Sequence, residues 1–320
     1  MNAVVVTELG GPEVLTWTEI EDPVADDGVI VEVAAAGLNF IDTYQRSGLY
    51  PIRVPFIPGL EGSGTVVSAP AGSGFSAGDR VAWADGQGSY AERVSVHPSK
   101  LTRIPEGVEF DTAAAVMLQG MTAHYLAMDT FPLQPGHRCL VHAGAGGVGL
   151  LLIQIAKLAG ADVYATVGST DKADLARSAG ADLVIDYTTT DFAAAITEAA
   201  GSRPLDVVYD GVGRATFQAG LGLLKRRGMM VTFGNASGPP DPVPPLTLMQ
   251  NGSLYVTRPT MFDYVTNRTE LDARARDLFG WVSDGRLDVR VGTRLPMRDA
   301  EQAHRMLEGR STTGKVLLIP

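Results

Sequence analysis

Six residues, Gly144-Ala145-Gly146-Gly147-Val148-Gly149, constrain this chain more than any other feature. They follow an apolar run read as a strand, Arg138–Ala143, and open a nearly all-apolar helix, Gly147–Ala159. A GxGxxG pattern alone is weak; between a strand and a helix it has the context it requires. The glycines permit a tight turn and let backbone N–H groups approach a pyrophosphate at the positive helix end. The chain then alternates. Strands are expected at Asp162–Val167, Leu183–Asp186, Asp206–Asp210, Met229–Phe233 and Ser253–Thr257. Helices are expected at Asp171–Ala179, Phe192–Ala200 and residues 214–226, closed by Gly180, Gly201 and Gly228, with Gly160 closing the first. Strands that are apolar throughout suggest burial on both faces, and six of them with crossover helices predict a doubly wound parallel sheet.

The flanking regions have another rhythm. Up to about residue 110, short strands separated by turn residues predict an irregular β domain. Its candidate strands are Val4–Thr7, Gly28–Ala34, Gly64–Ser68, Asp79–Trp83 and Ala91–Val96. A linking helix is expected over 111–128 with Asp111 as its N-cap. The tail reads as a helix over 269–283, a strand at Asp288–Val291, a helix at Asp299–Leu307 and a strand at Lys315–Ile319. The prolines at 239, 240, 242, 244 and 245 mark a connecting loop. At 320 residues the chain exceeds one ordinary core, so two domains are expected, one of 1–123 with 259–320 and one of 124–258.

A formal net charge of −10 argues against a nucleic-acid partner, which wants a basic face. The single cysteine, Cys139, excludes a disulfide framework and any cysteine-rich zinc module. No signal-like or membrane-length apolar segment is visible, so the expectation is a cytoplasmic protein without a membrane partner.

The second strand bears on the choice of dinucleotide. NAD sites place Asp or Glu at its end to hold the ribose hydroxyls. Here Val167 is followed by Gly168-Ser169-Thr170-Asp171-Lys172, and the strand-end position is Gly168. That tolerates a 2′-phosphate, to which Ser169 and Lys172 can donate, and favours NADP(H) over NAD. The plainer reading makes Lys172 a solvated helix residue.

Longer stretches carry a resemblance. Gly37–Asp42 (GLNFID), Pro58–Gly64 (PGLEGSG) and the Ala143–Gly149 loop are similar to the medium-chain dehydrogenase/reductase superfamily, over the whole chain. Asn39–Leu49, His142–Leu150, Val207–Arg214, Arg226–Asn235 and Gly252–Pro259 most resemble its zinc-free, zeta-crystallin-like NADPH:quinone oxidoreductases. The resemblance implies an α/β fold, a Rossmann doubly wound sheet plus a GroES-like irregular β-rich catalytic domain. Zinc members carry Cys at the position of Asn39 and His at that of Leu60; Glu61 remains, and is read as a structural acid. A lone carboxylate does not hold zinc, which wants three or four ligands.

The resemblance also implies site residues. Asn39 and Tyr44 fall at substrate-pocket positions beside the nicotinamide, with Phe40 and Ile41 as apolar walls. Loop capping by Asn39 and core packing by Tyr44 are the structural alternatives. Tyr125 falls at a cofactor-contacting position, although a helix aromatic is usually core. Lys172, Tyr187 and Arg310 match a 2′-phosphate pocket. Val212, Phe233, Gly234, Asn235 and Thr257 stand at strand exits on the cofactor side, beside Gly144, Gly146, Gly147, Val148, Gly149, Gly168 and Ser169. Arg258 is read as an interface residue. The expected activity is zinc-independent transfer of hydride or electrons from NADPH to a quinone or conjugated carbonyl, in a homodimer joined at the sheet edge. An enone or alkenal C=C reductase and a non-catalytic NADPH-binding protein are the alternatives.

Overall fold

The fold is taken from a computed structural model that describes residues 1–24 and 26–320. The chain divides into two units, Met1–Met121 with Val265–Pro320, and Thr122–Tyr264.

The first unit begins with an antiparallel pair, β1 (Asn2–Val5) and β2 (Thr16–Glu19). It continues through β3 (Val29–Leu38), α1 (Phe40–Arg46), β4 (Glu61–Ser68), β5 (Arg80–Trp83), β6 (Arg93–Val96) and β7 (Leu101–Arg103). α2 (Phe110–Tyr125) carries the chain into the second unit.

There the elements are β8 (Arg138–Val141), α3 (Gly147–Leu158), β9 (Asp162–Val167), α4 (Thr170–Ser178), β10 (Leu183–Asp186) and α5 (Phe192–Ala200). β11 (Leu205–Asp210), α6 (Phe217–Leu223), β12 (Leu224–Thr232), α7 (Pro245–Gln250) and β13 (Tyr255–Thr257) complete it. The chain returns to the first unit with α8 (Arg268–Ser283), β14 (Val291–Pro296), α9 (Ala300–Glu308) and β15 (Lys315–Ile319).

The sheet of the first unit runs β14-β15-β3-β4-β5-β7, with β6 also paired to β3. Its pairs are antiparallel except β14 with β15. Val31, Leu38, Val81, Trp83, Leu101 and Leu318 belong to the core beneath it.

The second sheet runs β10-β9-β8-β11-β12-β13, every pair parallel. It is a Rossmann order: the first strand, β8, stands beside the fourth, β11, and the chain winds outward from both. Ligands bind outside the carboxyl ends of the strands at such a reversal point. α3 is long enough and apolar enough to bury Leu151, Leu152, Ile153, Ile155 and Ala156. Gly160, Gly180 and Gly201 have positive φ after α3, α4 and α5, as expected for helix-closing glycines.

The structure differs from expectation at several points. The helix placed at 214–226 is only α6, and β12 begins at once at Leu224. Gly228 therefore closes no helix; the left-handed residue is Arg227, at φ 62°. The proline segment holds α7, with Pro244 at its N-cap and Pro245 at its first position, where the missing N–H costs nothing. Asp111 lies inside the first turn of α2 rather than at its cap, and a π-helical turn, Leu126–Thr130, follows α2. The strand placed at Asp288–Val291 is β14, which starts at Val291. β2 is additional. Among the described residues no helix is long and apolar enough to cross a membrane.

Candidate active site

In the second unit, the β8–α3 turn is drawn tightly against its surroundings. A Cβ on Gly149 would stand 2.3 Å from the carbonyl oxygen of Ala143, and one on Gly144 2.9 Å from Ala165 Cβ. Ala143 itself takes φ 55°. Gly146 is the N-cap of α3, and Gly146, Gly147 and Val148 are half-buried. The first N–H groups of a helix have no intrahelical acceptor, so this turn offers backbone donors that no side chain covers.

At the β9 exit a Cβ on Gly168 would lie 2.8 Å from the Tyr187 hydroxyl. Glycine leaves the phenol this position; a side chain there would make the phenol move outward. The Ser169 hydroxyl accepts the Lys172 N–H at 3.3 Å, capping α4, and keeps its own proton to donate. Lys172 is half-buried and Tyr187 exposed. The structure brings Gly168, Ser169, Lys172 and Tyr187 to this one exit. Arg310 stands in the first unit, exposed, after the end of α9 at φ 57°.

The β11 and β12 exits touch. A Cβ on Gly234 would meet the Gly211 carbonyl oxygen at 2.3 Å, and one on Gly211 would meet the Phe233 ring at 3.0 Å. Buried Asp210 accepts the N–H groups of Val212 (2.7 Å) and Gly213 (2.9 Å), which shapes the β11 turn. Thr257 is half-buried at the end of β13. Arg258, read as an interface residue, is exposed, and its guanidinium donates to the Gly234 and Thr232 carbonyls. Tyr125, read as a cofactor contact or a core aromatic, lies in the core. It is 2% exposed and stacks on Tyr264 at 4.4 Å between ring centroids, which is packing.

In the first unit, α1 carries Phe40, Ile41 and Tyr44. Phe40 and Ile41 are half-buried. Tyr44 is buried against Phe40 and Tyr50, with centroids 6.1 and 5.2 Å away. Asn39, at the α1 N-cap, is corrected as a donor to substrate. Its amide donates to Glu61 Oε2 (2.8 Å) and the Gly37 carbonyl (3.2 Å). Its oxygen accepts from Lys315 Nζ (2.9 Å) and Gln119 Nε2 (3.2 Å). Two donors and two acceptor positions are all an amide has, so Asn39 holds the loop instead. Glu61 Oε1 also accepts the Leu118 N–H at 2.6 Å. Asp42 accepts the Asn39 N–H (2.8 Å) and the Tyr90 hydroxyl (2.9 Å). Burial pushes its carboxyl up to about 7. Burial pushes the Lys315 amine down, opposed by the charge of Glu61.

The positions matching zinc ligands in related dehydrogenases do not suit that metal. Leu60 offers no donor, Asn39 is fully engaged, and Glu61 already pairs with Lys315. Among the described residues no group of three or more His, Cys, Asp or Glu could hold a metal ion.

A doubly wound parallel sheet with a glycine turn at its reversal point, in one chain with an irregular β unit, defines a medium-chain dehydrogenase/reductase. Residues 25–106 match the alcohol dehydrogenase GroES-like domain and residues 147–279 the zinc-binding dehydrogenase family. The chain is 44% identical over 322 residues to quinone oxidoreductase 1 of Escherichia coli, covering 97% of each. It is 37% identical over 328 residues to 2-haloacrylate reductase of a Burkholderia species, covering 99% of this chain and 98% of that one. A crystal structure of Escherichia coli quinone oxidoreductase complexed with NADPH superposes with a TM-score of 0.97, at 41% identity over the full length of both chains. The chain belongs to the quinone oxidoreductase family of medium-chain dehydrogenases/reductases.

Sequence reasoning missed Lys315, Gln119, Tyr90 and the carbonyl contacts of Arg258. Lys315 alone left a trace, as a charged residue opening the otherwise apolar run of β15.

Proposed function

We propose that the protein is an NADPH-dependent quinone oxidoreductase that needs no catalytic metal and acts in the cytoplasm as a homodimer. The observation carrying this reading is the β9 exit. Gly168 lies under the Tyr187 hydroxyl where NAD sites carry an acid, with Ser169 and Lys172 beside it. A phenol, a hydroxyl and an ammonium suit a 2′-phosphate through charge-assisted hydrogen bonds.

When bound, NADPH supplies hydride or electrons from its nicotinamide. The α3 N-terminus takes the pyrophosphate on backbone N–H groups. Val212, Phe233, Gly234, Asn235 and Thr257, at the exits of β11 to β13, border the nicotinamide. Phe40, Ile41 and Tyr44 wall the acceptor pocket, and the Tyr44 hydroxyl gives a proton to the reduced oxygen. Asn39, Glu61 and Lys315 keep α1 in place. A quinone is already electron-poor, so orientation in a dry pocket is the main requirement.

The homodimer reading rests on the β13 edge. Tyr255 is 57% and Val256 37% exposed on an edge strand, and Leu246 and Met249 of α7 are exposed in the same part of the chain. An open edge with apolar side chains favours pairing with a second copy.

Steady-state turnover tests the activity: 1,4-benzoquinone with NADPH is expected to exceed both 1,4-benzoquinone with NADH and an α,β-unsaturated ketone with NADPH. The similarity to 2-haloacrylate reductase favours a second reading, reduction of a conjugated C=C. A strong preference for the unsaturated ketone establishes that reading in place of the first.

A further inference from the structure

Arg258 lies just beyond β13. The register pairs Met229 with Tyr255, Met230 with Val256 and Val231 with Thr257, so Arg258 stands beside Thr232, where the backbone ladder stops. Its Nη1 donates to the Gly234 carbonyl at 3.0 Å and the Thr232 carbonyl at 3.2 Å. Thr232 Oγ1 (3.4 Å) and Asn235 Oδ1 (3.5 Å) lie at the limit of reach of the same nitrogen. These four acceptors of Nη1 belong to Thr232–Asn235. The guanidinium thus continues, through a side chain, the cross-strand bonding that the backbone has given up. From the other flank the segment is held by the close approach of Gly234 to Gly211.

We propose that Arg258 is a positioning residue for the nicotinamide end of the cofactor. It fixes the Phe233–Asn235 segment by bonding the carbonyls on either side of Phe233, and leaves the adenosine end alone. The proposal rests on the reading that this segment borders the nicotinamide of NADPH. A planar guanidinium suits the task because its N–H groups point in fixed directions; a lysine ammonium reaches the same carbonyls without fixing their relative orientation.

The experiment compares Arg258→Met and Arg258→Lys with the unmodified protein, using calorimetric binding of NADPH and of 2′,5′-ADP, which lacks the nicotinamide. Amide hydrogen exchange over residues 233–238 is followed in the ligand-free protein. Arg258→Met is expected to weaken NADPH binding by about tenfold, the scale of one or two lost hydrogen bonds, and to leave 2′,5′-ADP binding within about twofold. It is expected to speed exchange in the segment, with Arg258→Lys intermediate in both. Equal losses for both ligands, unchanged NADPH affinity, or unchanged exchange in the segment overturns the proposal. Should the unmodified protein bind neither ligand, the cofactor reading falls and this proposal with it. Binding of both by the unmodified protein with no difference between the variants removes Arg258 alone.

Discussion

Lys315 Nζ and Glu61 Oε2 form an ion pair sealed from water, the two side chains being 1% and 0% exposed. Glu61 accepts two further bonds, from Asn39 and the Leu118 backbone, so its carboxylate is well solvated by the protein. Breaking such a pair from one side leaves an uncompensated buried charge. Lys315→Met is expected to cost about 3–5 kcal/mol, and Lys315→Met with Glu61→Gln clearly less than the two single changes added. Urea unfolding of the four proteins in a double-mutant cycle measures this. Additive costs would show that the two residues do not act as a unit.

The buried titratable groups of the protein pull in opposite directions with pH. The Asp42 carboxyl is raised by burial from 3.8 to about 7. Its contribution to stability is complete below the unfolded value and is lost as pH rises through the folded one. Burial lowers the imidazoles of His142 and His304 from 6.5 to about 4 and about 3, with Arg46 adding to the effect on His304. Their contributions are present above 6.5 and are lost as pH falls through the folded values. Between pH 7 and pH 5 the two trends partly cancel. Asp42→Asn removes the first and leaves the second, so the variant is expected to lose stability steeply over that interval. The loss is ~2 kcal/mol for each imidazole, at ~1.4 kcal/mol per pH unit. Urea unfolding at both pH values checks it; a variant whose stability follows that of the unmodified protein would contradict the assignment.

Where local pattern decides, the sequence is readable. Asp162–Val167, Leu183–Asp186, Phe192–Ala200 and Lys315–Ile319 coincide with β9, β10, α5 and β15. The failures have a common cause. Nothing near Arg226 reveals that Leu224 pairs with Leu205, so the polar Lys-Arg-Arg stretch reads as the end of a helix. Asn39 reads as a free amide on a pocket loop because the ammonium that engages it is 276 residues away. The bonds of Arg258 went unforeseen because its acceptors are backbone carbonyls, which no side-chain pattern displays. The Gly168 exit was legible because the absence of an acid is itself visible; the close approach of Tyr187 that explains the glycine was not.

The glycine turn yields a graded prediction. A methyl at 149 meets a backbone oxygen at 2.3 Å, whereas one at 146 meets the same Ala143 oxygen at 3.2 Å. The first requires the backbone to move and the second a small adjustment. Gly149→Ala is expected to cost about 1–3 kcal/mol of stability and to abolish measurable NADPH binding, while Gly146→Ala folds normally and binds more weakly. Thermal unfolding with and without NADPH distinguishes the two, and equal effects would contradict the geometry of the turn.

The β9 exit offers a test of cofactor choice. A carboxylate introduced by Gly168→Asp brings a Cβ 2.8 Å from the Tyr187 hydroxyl, and the phenol, 39% exposed, has room to swing outward. The change removes one donor from the proposed 2′-phosphate site and places a negative charge there. It also supplies the acceptor that ribose hydroxyls use in NAD sites. The ratio of kcat/KM for NADPH to that for NADH is expected to fall by about 100-fold, ~2.7 kcal/mol. Tyr187→Phe, which removes only the hydroxyl, is expected to lower kcat/KM for NADPH by about fivefold, ~1 kcal/mol, and to leave NADH unaffected. If Gly168→Asp keeps the original preference, the 2′-phosphate is held elsewhere, and the role assigned to Lys172 and Tyr187 fails with it.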